Sequence, residues 1–229
     1  MTHPEEKHPL AIRWFHWISF PLLFLMMWSG LLVYWANDIY RVGWGESTLF
    51  HFFPDGFYRQ LNLQQRLAEG MALHFFFMWL FVANGVAYVL YLAFSGEWRK
   101  VLPDRDSLRD AVQVALHDLH LRKDAPPHGL YNGAQRIAYT GVILMAIGSV
   151  ATGLAIYKPA QLSWLAELLG GYPMARWFHF WLMIGFCSFL IIHIAQVIRA
   201  GWDNFRSMVA GFSLLDSATE IEVIHDSGK

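Results

Sequence analysis

WFHFWLMIGFCSFLIIHIAQVI, residues 177–198, decides the fold. It contains no Asp, Glu, Lys or Arg, and its length matches the roughly 20 helical residues that cross a bilayer core. Two histidines interrupt the apolar run, His179 near its start and His193 near its end. Ionisable side chains in lipid are costly and rare, so each is a functional hypothesis by default.

Working outward, residues 14–36, 70–96 and 137–157 are likewise free of Asp, Glu, Lys and Arg, and are long enough to span. Composition agrees: 55% hydrophobic, 17% aromatic and 15% charged residues in a chain of 229 exceed what a soluble domain carries. Open sheet edges cannot be satisfied in hydrocarbon, and no ten-residue alternating segments occur. The expected fold class is all-α, an integral membrane four-helix bundle, read as one domain over residues 1–229. The first span is too long for a signal-peptide core and no small-residue cleavage site follows it, so it is expected to remain in the mature protein.

Basic residues set the expected orientation. Lys7, Arg13, Arg99, Lys100, Arg105, Arg109, Arg122, Lys123, Arg136, Arg199, Arg206 and Lys229 fall on one side, against Arg41, Arg59, Arg66, Lys158 and Arg176 on the other. The positive-inside rule then places both termini and the 97–136 connection in the cytoplasm. Within that connection Leu108, Ala111, Val112, Ala115, Leu116 and Leu119 recur at helical spacing before Pro126-Pro127, which predicts an interfacial amphipathic helix over about 107–121. The outer connection, 37–69, is rich in aromatics (Tyr40, Trp44, Phe50, Phe52, Phe53, Phe57, Tyr58) around a Pro54-Asp55-Gly56 turn, and suits contact with headgroups or a docked partner. The polar tail beyond Asp216 is expected to fray. No internal repeat is evident.

Four histidines lie in the spans: His16 opens the first, His74 the second, and His179 and His193 sit at the ends of the fourth. Fourteen residues at about 100° each return to within ~40° of whole turns and rise about 21 Å, so His179 and His193 share one helix face at opposite depths. Alternating topology sorts the four into level pairs, His74 with His179 and His16 with His193. Two neutral imidazoles on facing helices can fill both axial positions of one haem iron, so two pairs predict two stacked b haems. Cys187 is the only cysteine, which excludes a C-x-x-C-H attachment and leaves any haem non-covalently held. Bis-histidine ligation leaves no open iron position, which favours electron transfer over oxygen chemistry.

Each histidine taken singly also fits an interfacial or hydrogen-bonded role. A shared zinc or copper ion does not fit, because the pairs lie about 21 Å apart and neither level offers a carboxylate or thiolate. Arg13 and Arg176 each precede a proposed ligand by three residues and suit haem propionates or lipid phosphates. Gly30, Gly85, Gly141, Gly148 and Gly185 suit a flat cofactor or close helix packing. Met71, Met78 and Met183 read as packing, and Asn132 reads as a helix N-cap. His3, His8, His51, His117, His120, His128 and His225 lie in connections or near the ends and receive no role. The formal charge of -1 without a concentrated basic face argues against nucleic acid.

Taken together, Arg13-Trp14-Phe15-His16-Trp17, His74, Tyr131-Asn132-Gly133-Ala134-Gln135-Arg136, and the fourteen-residue spacing of His179 and His193 resemble a known family. It comprises the four-helix di-haem cytochrome b subunits of membrane-bound formate dehydrogenases, nickel-iron hydrogenases and thiosulfate-reductase-like molybdoenzymes. The resemblance implies an outer haem on His74 and His179 and an inner one on His16 and His193. It also implies a quinone near Asn132, Gln135 and His193, and a periplasmic molybdopterin or Ni,Fe oxidoreductase as partner, with or without an iron-sulfur subunit between. The Tyr34-Trp35-Ala36-Asn37-Asp38 run looks like versions found with molybdopterin oxidoreductases. The expected function is electron transfer between that partner and the quinone pool of a bacterial inner membrane. The alternatives are a stand-alone oxidoreductase acting on a small diffusible molecule, and a haem-free anchor or proton relay.

Overall fold

In the computed structural model, residues 3–6, 8–44, 47–118, 121 and 132–215 are described. Lys7, Leu119, His120, Arg122, Lys123, Pro126-Pro127, His128, Tyr131, the tail beyond Asp216 with His225, and Lys229 lie outside them. In chain order the elements are β1 (His3–Glu6), α1 (Leu10–Tyr34), a 3-10 turn (Trp35–Asn37), β2 (Arg41–Trp44), β3 (Ser47–His51), α2 (Asp55–Gln60) and α3 (Leu67–Ser95). There follow α4 (Trp98–Val101), α5 (Ser107–Asp118), α6 (Gly133–Tyr157), α7 (Ser163–Leu168), α8 (Tyr172–Ala210) and β4 (Phe212–Leu215).

Among the described residues, four helices are long and apolar enough to cross a membrane: Leu10–Asn37, Leu67–Ser95, Gly133–Tyr157 and Tyr172–Ala210. Each begins earlier than its charge-free segment, because the first turns carry Arg13, Glu69, Arg136 and Arg176 without ending the helix. Long charged side chains can reach the interface while their backbone stays helical. At the other end of α3, Gly96 lies outside the helix at φ 77°, a conformation glycine adopts without steric cost. The largest departure is α8, which runs past Arg199 to Ala210 with a break at Gly201 (φ 81°, ψ 177°). Pro173 in its first turn and left-handed Gly211 at its C-cap follow the usual asymmetry of helix ends.

The chain separates into two compact units, residues 10–86 and residues 1–9 with 87–229. In the first, Leu32, Tyr58 and Leu63 form a buried cluster packed by Trp28, Leu31, Tyr34, Trp35, Phe53, Phe57 and Leu73. This seats α2 on the end of α1. The Tyr58 hydroxyl donates to Asp38 Oδ2 at 2.8 Å, and His51 Nε2 lies 3.0 Å from Asp38 Oδ1. Burial, and then the Asp38 carboxylate, push the Tyr58 phenol above its ordinary range. Asp38 thereby ties the second strand of the β2–β3 hairpin to α2. That hairpin lies between the spans and was unforeseen, though the all-α class stands: its apolar side chains are exposed rather than alternated, with Trp44 at 89% and Leu49 at 79%, so no half-buried pattern marks it.

In the second unit α6 packs on α8 and α5 packs on the start of α6, while β1 pairs antiparallel with β4. This second pairing was also unforeseen, since four-residue strands at the chain's ends carry no periodic signal. The amphipathic helix appears as α5, described over Ser107–Asp118, and Leu121 lies in a bend. Leu108, Val112 and Leu116 stand at successive-turn spacing and are exposed.

Gly133 sets how closely α5 approaches α6. A Cβ there would sit 2.4 Å from the Ser107 carbonyl oxygen and 2.6 Å from the Asp110 Cβ. Gly133→Ala is therefore expected to displace α5 and to destabilise the chain by about 1–3 kcal/mol, the usual scale of overpacking. A lowered midpoint in a thermal melt of the detergent-purified protein checks this.

Candidate functional site

The fourteen residues from His179 to His193 lie within continuous helix, since the break in α8 comes only at Gly201. The rise of about 21 Å and the shared face therefore hold along α8. His74 stands seven residues into α3 and His179 seven residues into α8.

Each of these two imidazoles is held by a hydroxyl on the preceding long helix. His74 Nδ1 lies 3.0 Å from Ser29 Oγ, and His179 Nδ1 lies 2.9 Å from Thr152 Oγ1. Ser29 Oγ is 2.6 Å from the Leu25 carbonyl oxygen, and Thr152 Oγ1 is 2.7 Å from that of Gly148. A carbonyl only accepts, so each hydroxyl hydrogen goes to the carbonyl and the hydroxyl oxygen accepts Nδ1–H from the imidazole. The result is a neutral ring protonated on Nδ1, whose Nε2 is the nitrogen that would ligate a metal.

The residue after each hydroxyl is glycine, and both glycines face the ring. A Cβ built on Gly30 would lie 3.6 Å from His74 Cε1, and one on Gly153 would lie 3.3 Å from His179 Cε1. Of the other glycines singled out, Gly148 and Gly185 accommodate Leu182 and Met145, which is helix packing; a Cβ on Gly85 or Gly141 would meet nothing within 4 Å.

His16 has Trp17 edge-on at 5.2 Å, and His193 stacks on Phe189 at 5.6 Å with 13° between the planes. Arg13 and Arg176 stand three residues before His16 and His179, both partly buried. The neutral imidazoles of His74 and His179, each set against a glycine in an apolar helix, are a donor set that fits a b-type haem.

The sequence model of the prokaryotic cytochrome b561 family matches residues 7–211. The chain belongs to the prokaryotic cytochrome b561 family. It is accordingly a multi-pass, b-type cytochrome membrane subunit that transfers electrons, and the resemblance to cytochrome b subunits is borne out at the level of the family. The chain is also similar to a protein of Azospira oryzae named "Putative protein-methionine-sulfoxide reductase subunit YedZ1", 33% identical over 191 residues, which cover 83% of this chain and 89% of that relative.

In this cytochrome b561 chain the segment from Asn132 to Arg136 has a definite structural role. Asn132 Oδ1 accepts from the Gln135 backbone N–H at 2.9 Å, and Gln135 Oε1 accepts from the Asn132 backbone N–H at 3.0 Å. This is a reciprocal capping box at the start of α6. Arg136 ion-pairs with Asp104 and donates to the carbonyls of Leu102 and Arg99, both at 2.9 Å. The Ser107 hydroxyl, and after it Arg136, hold the Asp104 carboxyl below its usual range. The side-chain oxygens of Asn132 and Gln135 are thus engaged by the cap, and their amide nitrogens are the groups that could meet a ligand.

Proposed function

We propose that the chain is one domain holding two b haems, one between His74 and His179 and one between His16 and His193. It carries electrons between a periplasmic redox enzyme and the quinone pool of the bacterial inner membrane, with both termini cytoplasmic. The observation that carries this reading is the matched presentation of His74 and His179, each held at Nδ1 by a hydroxyl of the preceding long helix and seven residues into its own helix. The fourteen-residue interval in α8 supplies the second level.

The bound haems would supply one-electron carriers at two depths. The protein's part is to fix the imidazoles, exclude water and open each end of the path to a different partner. On the outer side, the β2–β3 hairpin carries Val42, Trp44, Leu49 and Phe50 as an exposed apolar ridge on the anchored Asp38 cluster, a surface suited to docking a protein. The name of the Azospira relative, a subunit of a reductase, supports a partner enzyme. That partner would be a molybdopterin or Ni,Fe oxidoreductase, with or without an iron-sulfur subunit between. On the inner side, the amide nitrogens of Asn132 and Gln135 near the start of α6 would donate to a quinone carbonyl, and α5 would lie in the headgroup layer on Leu108, Val112 and Leu116. Arg13 and Arg176 would pair with propionates.

The test is anaerobic addition of a soluble quinol analogue to the purified chain in nanodiscs. Growth of the reduced b-type absorption on adding quinol supports the reading. Reduction by dithionite but by no quinol, together with turnover of a small oxidant by the chain alone, would replace it with a stand-alone oxidoreductase.

A further inference from the structure

Residues 29–34 read Ser-Gly-Leu-Leu-Val-Tyr and residues 152–157 read Thr-Gly-Leu-Ala-Ile-Tyr. Each run ends its helix, α1 at Tyr34 and α6 at Tyr157. In both, the hydroxyl accepts from the Nδ1–H of a histidine seven residues into the next long helix, and the following glycine faces that ring.

The correspondence extends to packing. Four residues before each histidine stands a small residue, Gly70 or Ala175, and three residues after each hydroxyl stands Leu32 or Ala155. Gly70 abuts Leu32, where a Cβ would come within 2.6 Å of the Leu32 Cβ, and Ala175 clusters with Ala155, both fully buried. A large residue meets glycine in one copy, and alanine meets alanine in the other. At the second level the copies diverge. Thirteen residues before the hydroxyls stand His16 and Tyr139, and fourteen after the histidines stand Tyr88 and His193. The chain therefore contains a short repeat, contrary to the expectation of none, with one half-site of the outer pair in each copy.

We propose that Ser29 and Thr152 are paired positioning residues, which set the tautomer and the donor strength of His74 and His179 as ligands of one haem. This rests on the ligand reading above. A hydroxyl that donates to a carbonyl while accepting from Nδ1–H is polarised to accept more strongly, which makes the ring a better electron donor to iron. The stronger donor favours the oxidised metal. Removing the hydroxyl raises the midpoint potential of the outer haem alone.

Thr152 is the sharper test, because the His74 imidazole also bonds the Met26 carbonyl, which could retain its proton if Ser29 were lost. Spectroelectrochemical titration of the full-length protein in detergent, for wild type, Thr152→Val, Thr152→Ala, Thr152→Ser and Ser29→Ala, reads the effect. The expected result is a tenfold change in the reduced-to-oxidised ratio of one haem with Thr152→Val, which for one electron is a rise of about 59 mV. The shift should be smaller with Ser29→Ala and absent with Thr152→Ser, with the second haem unmoved. Loss of one haem in Thr152→Ala with retention in Thr152→Ser would equally support a role for the hydroxyl.

Unchanged potentials in Thr152→Val, or loss of haem in Thr152→Ser as well, would overturn the proposal, since the site would then need only bulk. His74→Ala and His179→Ala run alongside separate this from the underlying reading. If both haems survive those substitutions, the ligand assignment itself is wrong.

Discussion

Replacing His179 by alanine is expected to halve the haem content of the purified chain, from two per polypeptide to one, and His74→Ala is expected to remove the same haem. The two imidazoles are presented alike, each with Nδ1 held by the hydroxyl of Ser29 or Thr152, so each is expected to supply one axial ligand that the other cannot replace. His16→Ala and His193→Ala should each remove the other haem. Haem content by pyridine haemochrome, with low-temperature spectra to distinguish the two centres, checks the assignment. If His74→Ala removed the same haem as His193→Ala, the sorting by depth would be wrong.

His193→Ala should also stop quinol from reducing the chain. The inner site is the entry for quinol electrons in the proposed path, so its loss should slow quinol-driven reduction of the remaining haem by more than the ~10–100-fold typical when an outer-shell partner of a metal site is lost. Dithionite, which needs no quinone site, should still reduce the outer haem fully. Stopped-flow absorption in nanodiscs measures both rates. Undiminished quinol reduction in this variant would place the quinone on the outer side.

Much of this was legible in the sequence because lipid imposes a severe filter. Residues 177–198 could only be a span, and four histidines in such segments could not be there by default. The fourteen-residue interval then gave depth without a structure, because helix geometry is fixed. Helix starts were less legible: Arg13 and Arg136 suggested boundaries, yet a charged side chain can remain in helix and reach the interface. The β2–β3 hairpin was hidden because Trp44 and Leu49 are exposed, so no half-buried alternation recorded it.

At the site, the proposed ligands were legible and their supports were not. Histidine in a span is conspicuous, whereas Ser29 and Thr152 look like ordinary small polar residues that bond their own helix carbonyls. The signal was present in the two Ser/Thr-Gly-Leu runs, but at six residues each it emerges only once both hydroxyls are seen against imidazoles. Asn132 was correctly read as an N-cap, and its partner in the cap, Gln135, follows from the three-residue spacing of a capping box.

The most direct test of the central claim is a dithionite-reduced minus oxidised spectrum of the detergent-purified chain with a pyridine haemochrome count per polypeptide. The account predicts a b-type spectrum with close to two haems, released by acid acetone because no thioether holds them. One haem, or none after expression with haem supplied, would contradict the two-level arrangement of His74 with His179 and His16 with His193.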